Sequence, residues 1–195
     1  MKRTALALAL ASLAGPAIAN PLSDALKAGG GALCFTRSYD SAWLKAHPGQ
    51  TLREARFAIV ENKDWNTLRM SLRGAGQPIY LFGECNWYAG DLNRSGQNEI
   101  IEPSFKPTTG VGCMLYTDVT AGSAEEGGEF PVQWSGGRTI QVHLPESAAA
   151  WRSYNVRRNA TWTKLNRADR IIRLNRAPAS ECRELVTKFA PGQPR

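Results

Sequence analysis

A chain of 195 residues and 21.3 kDa has room for one domain with a real core and is short for two. Hydrophobic residues at 43% and charged residues at 21% exclude a disordered chain and a coiled coil. The formal net charge of +7 points to an anionic partner, whose class depends on where the protein resides.

The first residues address that question. Lys2 and Arg3 precede an uncharged apolar run over Ala5 to Leu13, and Ala17-Ile18-Ala19 places small residues where a signal peptidase reads. The pattern is that of a Sec signal peptide over residues 1–19, with the mature chain starting at Asn20. The run is shorter than the roughly 20 residues a bilayer-spanning helix needs. Cys34 follows Leu33 and lies well past the run, so a lipid-attachment site is not expected. Nor is any later stretch apolar enough to cross a membrane. The expected protein is therefore soluble and periplasmic or secreted. Removing Lys2 and Arg3 from the 24 basic residues leaves 22 against 17 acids, a net of +5. Export turns that excess away from nucleic acid and toward anionic glycans, lipid head groups or acidic proteins.

Residues 20–31 are small and end in Gly29-Gly30-Gly31, which reads as a flexible N-terminal lead. One domain is expected over 32–195. A strand is expected near Ala32 to Arg37, and Asp40 can cap a short helix over Ser41 to Ala46 that Pro48-Gly49 stops. Arg56 to Val60 is a more continuously apolar, central strand. Leu68, Met70 and Leu72 then alternate with polar residues, a period of two. The same holds for Ile79, Leu81, Cys85 and Trp87, for Val111, Cys113 and Leu115, for Phe130, Val132 and Trp134, and for Ile140, Val142 and Leu144. Ser135-Gly136-Gly137 marks a hairpin turn. Two further strands fall near Thr161 to Leu165 and Arg170 to Asn175. A last helix is expected with Ser180 as its cap and Leu185, Val186 and Phe189 as its apolar stripe. About nine short strands with a short N-terminal and a C-terminal helix define a mainly β fold, a single antiparallel β-barrel or β-sandwich.

Four cysteines form an even set, and in an exported chain the default is two disulfides. Cys85 and Cys113 fall on core-facing positions of successive strands, which makes them one plausible pair. Cys34 and Cys182 would then tie the first strand to the last helix, although sequence alone leaves the pairing open. No two cysteines have zinc-ligand spacing and neither histidine is near one, so no metal or other cofactor is expected.

Three features could carry chemistry. Residues 91–102 match a twelve-residue calcium loop at most positions, with Asp91, Asn93 and Ser95 as side-chain ligands, Gly96 at the turn and Glu102 closing the site. Asn98 departs from the pattern, and Pro103 forbids the following helix. A polar loop between strands uses the same residues. The second feature is a basic strip, Arg157, Arg158, Lys164, Arg167, Arg170, Arg173 and Arg176, in which Asp169 is the sole acid. Guanidinium groups in such a strip can hold anions through bidentate contacts. The strip also reads as a solvated outer face balanced by Asp118, Glu125, Glu126 and Glu129. The third is the pair of histidines. His47 ends the short helix, where it can serve only the helix C-terminus, and His143 lies on the polar face of its strand. Neither has a nucleophile and carboxylate nearby in sequence, and no hydrolase motif is present. Among the six tryptophans, Trp87 and Trp134 continue apolar alternations, and Trp65, which follows Glu61-Asn62-Lys63-Asp64 in an expected turn, is the one expected to be exposed.

The stretch from Cys34 to Gln50 (CFTRSYDSAWLKAHPGQ) resembles a family of exported bacterial proteins to which no activity is attached, and Ala168 to Arg176 (ADRIIRLNR) is similar to it too. The resemblance spans most of the mature chain and implies export and one domain. That family frequently has histidine where this chain has Trp43, so the resemblance implies no inherited metal or catalytic role there.

These readings converge on a non-enzymatic binding protein of the bacterial envelope, built like a small inhibitor. It would hold an anionic envelope component or a protein on the Arg-rich strip. A small periplasmic hydrolase using His143 or His47 is the competing class. A calcium-stabilised module around residues 91–102 is the third.

Overall fold

Apolar residues at alternate positions give each strand one oily face, and a sheet that closes on itself buries all those faces at once while leaving no edge. The computed structural model describes residues 20–62, 66–88, 110–117, 126–154 and 160–188. Its strands are β1 (Ala32–Ser38), β2 (Glu54–Val60), β3 (Thr67–Arg73), β4 (Ile79–Tyr88), β5 (Gly110–Tyr116), β6 (Glu126–Ser135), β7 (Thr139–His143), β8 (Ser147–Ala150), β9 (Thr161–Lys164) and β10 (Ile171–Ala177). The fold is mainly β. Eight of these strands form a closed barrel in the order β1-β10-β7-β6-β5-β4-β3-β2, every pairing antiparallel. Of the two architectures expected from the alternation, the chain adopts the barrel.

The register explains the alternation. Leu72 faces Ile79, Met70 faces Leu81, Cys85 faces Cys113 and Trp87 faces Val111, so the apolar residues of successive strands stack in rows inside the wall. Phe35 on β1 faces Phe57 on β2, and their rings meet edge to face at 6.5 Å. Phe35 also meets Trp134 at 5.9 Å. Phe35, Phe57, Ile59, Leu68, Met70, Leu81, Leu115 and Ile140 are fully buried, so side chains fill the bore. Trp87 and Trp134 are partly buried against this core, as their alternations imply. The hairpin between β6 and β7 turns on Gly136 and Gly137, both with positive φ (60° and 73°), which matches the right-handed twist of the flanking strands.

Helix α1 (Pro21–Ala28) occupies the segment expected to be a flexible lead, and this is a correction. Asn20 caps it by accepting from Ser23 N, Pro21 starts it, and Leu22 and Leu26, one turn apart, are buried in the main core. The glycines follow the helix and do not dissolve it. Helix α2 (Ser41–Ala46) forms where expected, capped by Asp40, whose Oδ1 accepts from Trp43 N at 2.7 Å. Helix α3 is Ala179–Lys188, so Ser180 lies in its first turn and is not its cap. Its Leu185 is buried and Val186 partly so, while Phe189 lies outside the described residues.

A second, smaller cluster sits on the outside of the wall. Cys34, Ala58, Tyr80 and Phe82 point outward and are covered by Cys182 and Leu185 of α3 and by Trp151. Strand β8, which the sequence reading did not anticipate, pairs with β9 in a two-stranded sheet, and Trp151 bridges to Tyr80. Disulfides join Cys34 to Cys182 and Cys85 to Cys113, the pairing that strand positions made plausible.

Candidate partner-binding surface

The basic strip does not form one surface. Arg167 is exposed in a 3₁₀ turn, Arg167–Asp169, and Arg170 follows it, half-buried. On β10, Ile172 and Leu174 face the bore, so Arg173 and Asn175 face out and Arg176 shares the inward phase. Arg176 sits at the opposite end of the barrel, its guanidinium over the ring of Phe35 at 5.4 Å, and burial lowers its pKa from the ordinary arginine value. It serves packing. Lys164 on β9 pairs with Glu146 at 2.9 Å, both well exposed. At about 3.3 Å per residue, Arg170 and Arg176 lie roughly 20 Å apart along the strand. Arg157, Arg158 and the calcium-like residues 91–102 lie outside the described residues, as do Asp118, Glu125 and Trp65. Trp162, at 59% relative exposure, is the described tryptophan that faces solvent most.

Asp169, the sole acid of the strip, is buried. Its carboxylate accepts from Thr51 N and Leu52 N, each at 3.0 Å, and from the Thr51 hydroxyl. Asn166 Nδ2 donates to Gly49 O at 2.7 Å. The 3₁₀ turn is thereby fastened to the loop between α2 and β2, and Arg167 is set on the rim of one barrel mouth.

That rim holds a cluster the sequence reading did not assemble. His47 stacks on Trp43 with ring centroids 4.0 Å apart and planes 14° from parallel. The Arg37 guanidinium lies 5.0 Å from the Tyr39 ring and 5.3 Å from the Trp43 ring, within cation–π range. Trp43 Nε1 donates to Gln50 Oε1 at 2.9 Å, and His47 Nδ1 lies 2.9 Å from Trp43 O. His47 thus serves the helix C-terminus as expected, and also stacks. The available signal was the spacing of Trp43 and His47, one helical turn apart. Arg37 could not be assigned to this end without knowing the phase of β1.

His143 is buried at the end of β7, with its Nε2 3.0 Å from Gln141 Nε2. Elsewhere, burial first and then the bond donated to Glu84 Oε2 at 2.7 Å push the Tyr116 phenol pKa well above the ordinary tyrosine range. The Arg69 guanidinium on β3 donates to Val186 O, pinning α3 to the wall. No group of three or more histidine, cysteine or acidic residues suited to a metal ion is found among the described residues. No family model, curated protein or solved structure matches this chain.

Proposed function

We propose that the protein is an exported, non-enzymatic binding protein of the bacterial envelope, inhibitor-like in build, that holds an anionic envelope component or a protein on its outer surface. The observation that carries this reading is the filled bore: large apolar side chains occupy it at 0–1% relative exposure, which directs binding to the outside. Arg167 and Arg173 are exposed there. Export is supported by the signal-like residues 1–19 and by two disulfides, which persist in oxidising compartments. No helix among the described residues is long and apolar enough to cross a membrane.

The test is retention of residues 20–195 on immobilised alginate, phosphatidylglycerol vesicles and immobilised polyglutamate. Salt-sensitive retention on at least one supports the reading, because interactions of exposed charges are screened by salt. Passage through all three refutes it. A hydrolase remains the second reading, favoured by the burial of His143. It requires turnover of ester, amide or glycoside substrates that His143→Ala abolishes without unfolding the barrel.

A further inference from the structure

We propose that the barrel mouth formed by α2 and the 3₁₀ turn docks an acidic peptide segment of a protein partner. The inference rests on the binding reading above and assigns it a face and a partner chemistry.

Charge is the first argument. Residues 37–54 and 166–170 contain five Lys or Arg against three carboxylates. All three carboxylates are engaged within the chain. Asp40 caps α2, Asp169 accepts from Thr51 and Leu52, and Glu54 pairs with Arg56 at 2.5 Å and Arg73 at 3.7 Å. Arg53 and Arg167 are exposed, and half-buried Arg37 rests on the ring faces of Tyr39 and Trp43. The rim therefore presents cations whose nearby acids are committed elsewhere, and guanidinium groups match carboxylates bidentately.

Rigidity is the second. The bonds of Asp169 and Asn166 lock the 3₁₀ turn to the α2–β2 loop, and Tyr39 N donates to Arg53 O at 2.9 Å. A rim fixed before binding loses little entropy on docking.

The third argument separates a protein from a glycan. A sugar ring needs an open aromatic face. Trp43 is 38% exposed, yet His47 covers one face of the indole, Arg37 lies over the ring and Gln50 takes the Nε1 proton. What it offers is a preorganised knob of Trp, Tyr and Arg, the residue types that dominate protein–protein binding energy.

The experiment titrates residues 20–195 with a fluorescent decaglutamate peptide, with alginate and with phosphatidylglycerol vesicles at low salt. Three proteins are compared: wild type, Arg53→Glu/Arg167→Glu, and Arg183→Glu as an exposed control on α3, away from the rim and the basic strip. Thermal melting confirms that each is folded. Decaglutamate binding is expected to weaken by about tenfold or more in the rim variant and less than about twofold in the control. Loss in Arg183→Glu with the rim variant unaffected overturns the rim and leaves the wider binding reading standing. Binding of alginate or vesicles without decaglutamate overturns the protein partner, again leaving that reading intact. Binding of none overturns both.

Discussion

Asp169 and Thr51, 118 residues apart, are joined by two hydrogen bonds into one carboxylate, from the Thr51 amide and from its hydroxyl. The only acid in a run of arginines thus positions the loop beside it. Replacing it by Ala strips the buried Leu52 amide and the half-buried Thr51 amide of their acceptor. Asp169→Ala is expected to cost about 2–4 kcal/mol, since each orphaned buried donor costs about 1–3 kcal/mol. Urea unfolding checks this. A cost below about 0.5 kcal/mol would mean the loop holds itself.

Tyr116 gives an alkaline prediction. Its folded pKa is raised, so its contribution to stability is fully present below the unfolded value of about 10 and is lost as pH rises beyond it. Tyr154 is raised in the same direction, chiefly by burial. Phenolate absorbance should therefore show a fraction of tyrosines titrating late, together with unfolding. Tyr116→Phe should shrink that fraction. An unchanged profile would show that the bond to Glu84 does not hold the proton.

The two disulfides should differ in weight. Cys34–Cys182 spans 148 residues and Cys85–Cys113 spans 28. Removing either typically costs about 2–5 kcal/mol, and loop-closure entropy makes the longer one worth about 1.5 kcal/mol more. Paired Cys→Ala variants compared by melting test the ranking.

Gly83 lies where β4 and β5 approach closely. A Cβ there would fall 1.9 Å from the backbone oxygen of Met114. Gly83→Ala is expected to destabilise by about 2–4 kcal/mol or to prevent folding, because backbone must move. At Gly136 a Cβ meets nothing within 4 Å, so only the positive φ is penalised, by about 1–2 kcal/mol. Denaturant midpoints of the two variants give the comparison.

Calcium is expected to leave the melting midpoint unchanged relative to chelator. A ligand that binds only the folded state raises the midpoint by mass action. A clear rise would make residues 91–102 a metal site.

The strands were legible because burial imposes a period of two. Leu68-Met70-Leu72 and Ile140-Val142-Leu144 declare their inner face without reference to any partner. Helix α2 was legible from Asp40 and Pro48, which are local signals. What the sequence concealed depends on long-range geometry. Closure required β1 to pair with both β2 and β10, which no alternation encodes. Helix α1 was hidden behind three glycines, although Asn20, Pro21 and the Leu22–Leu26 spacing announce it. The basic strip looked continuous because sequence proximity conceals strand phase: Arg173 and Arg176 point to opposite sides of one sheet. Asp169 looked like a stray acid because its partners lie more than a hundred residues upstream.

The Cys34–Cys182 bond joins the first barrel strand to the last helix, enclosing β2 to β10. A protease that cuts one peptide bond anywhere inside that ring produces no separate fragment, because both pieces stay linked through sulfur. The fold thereby stays covalently whole after single cleavages that would dismember an open chain. The consequence is visible on a gel: a nicked sample should run as one band until a reductant is added.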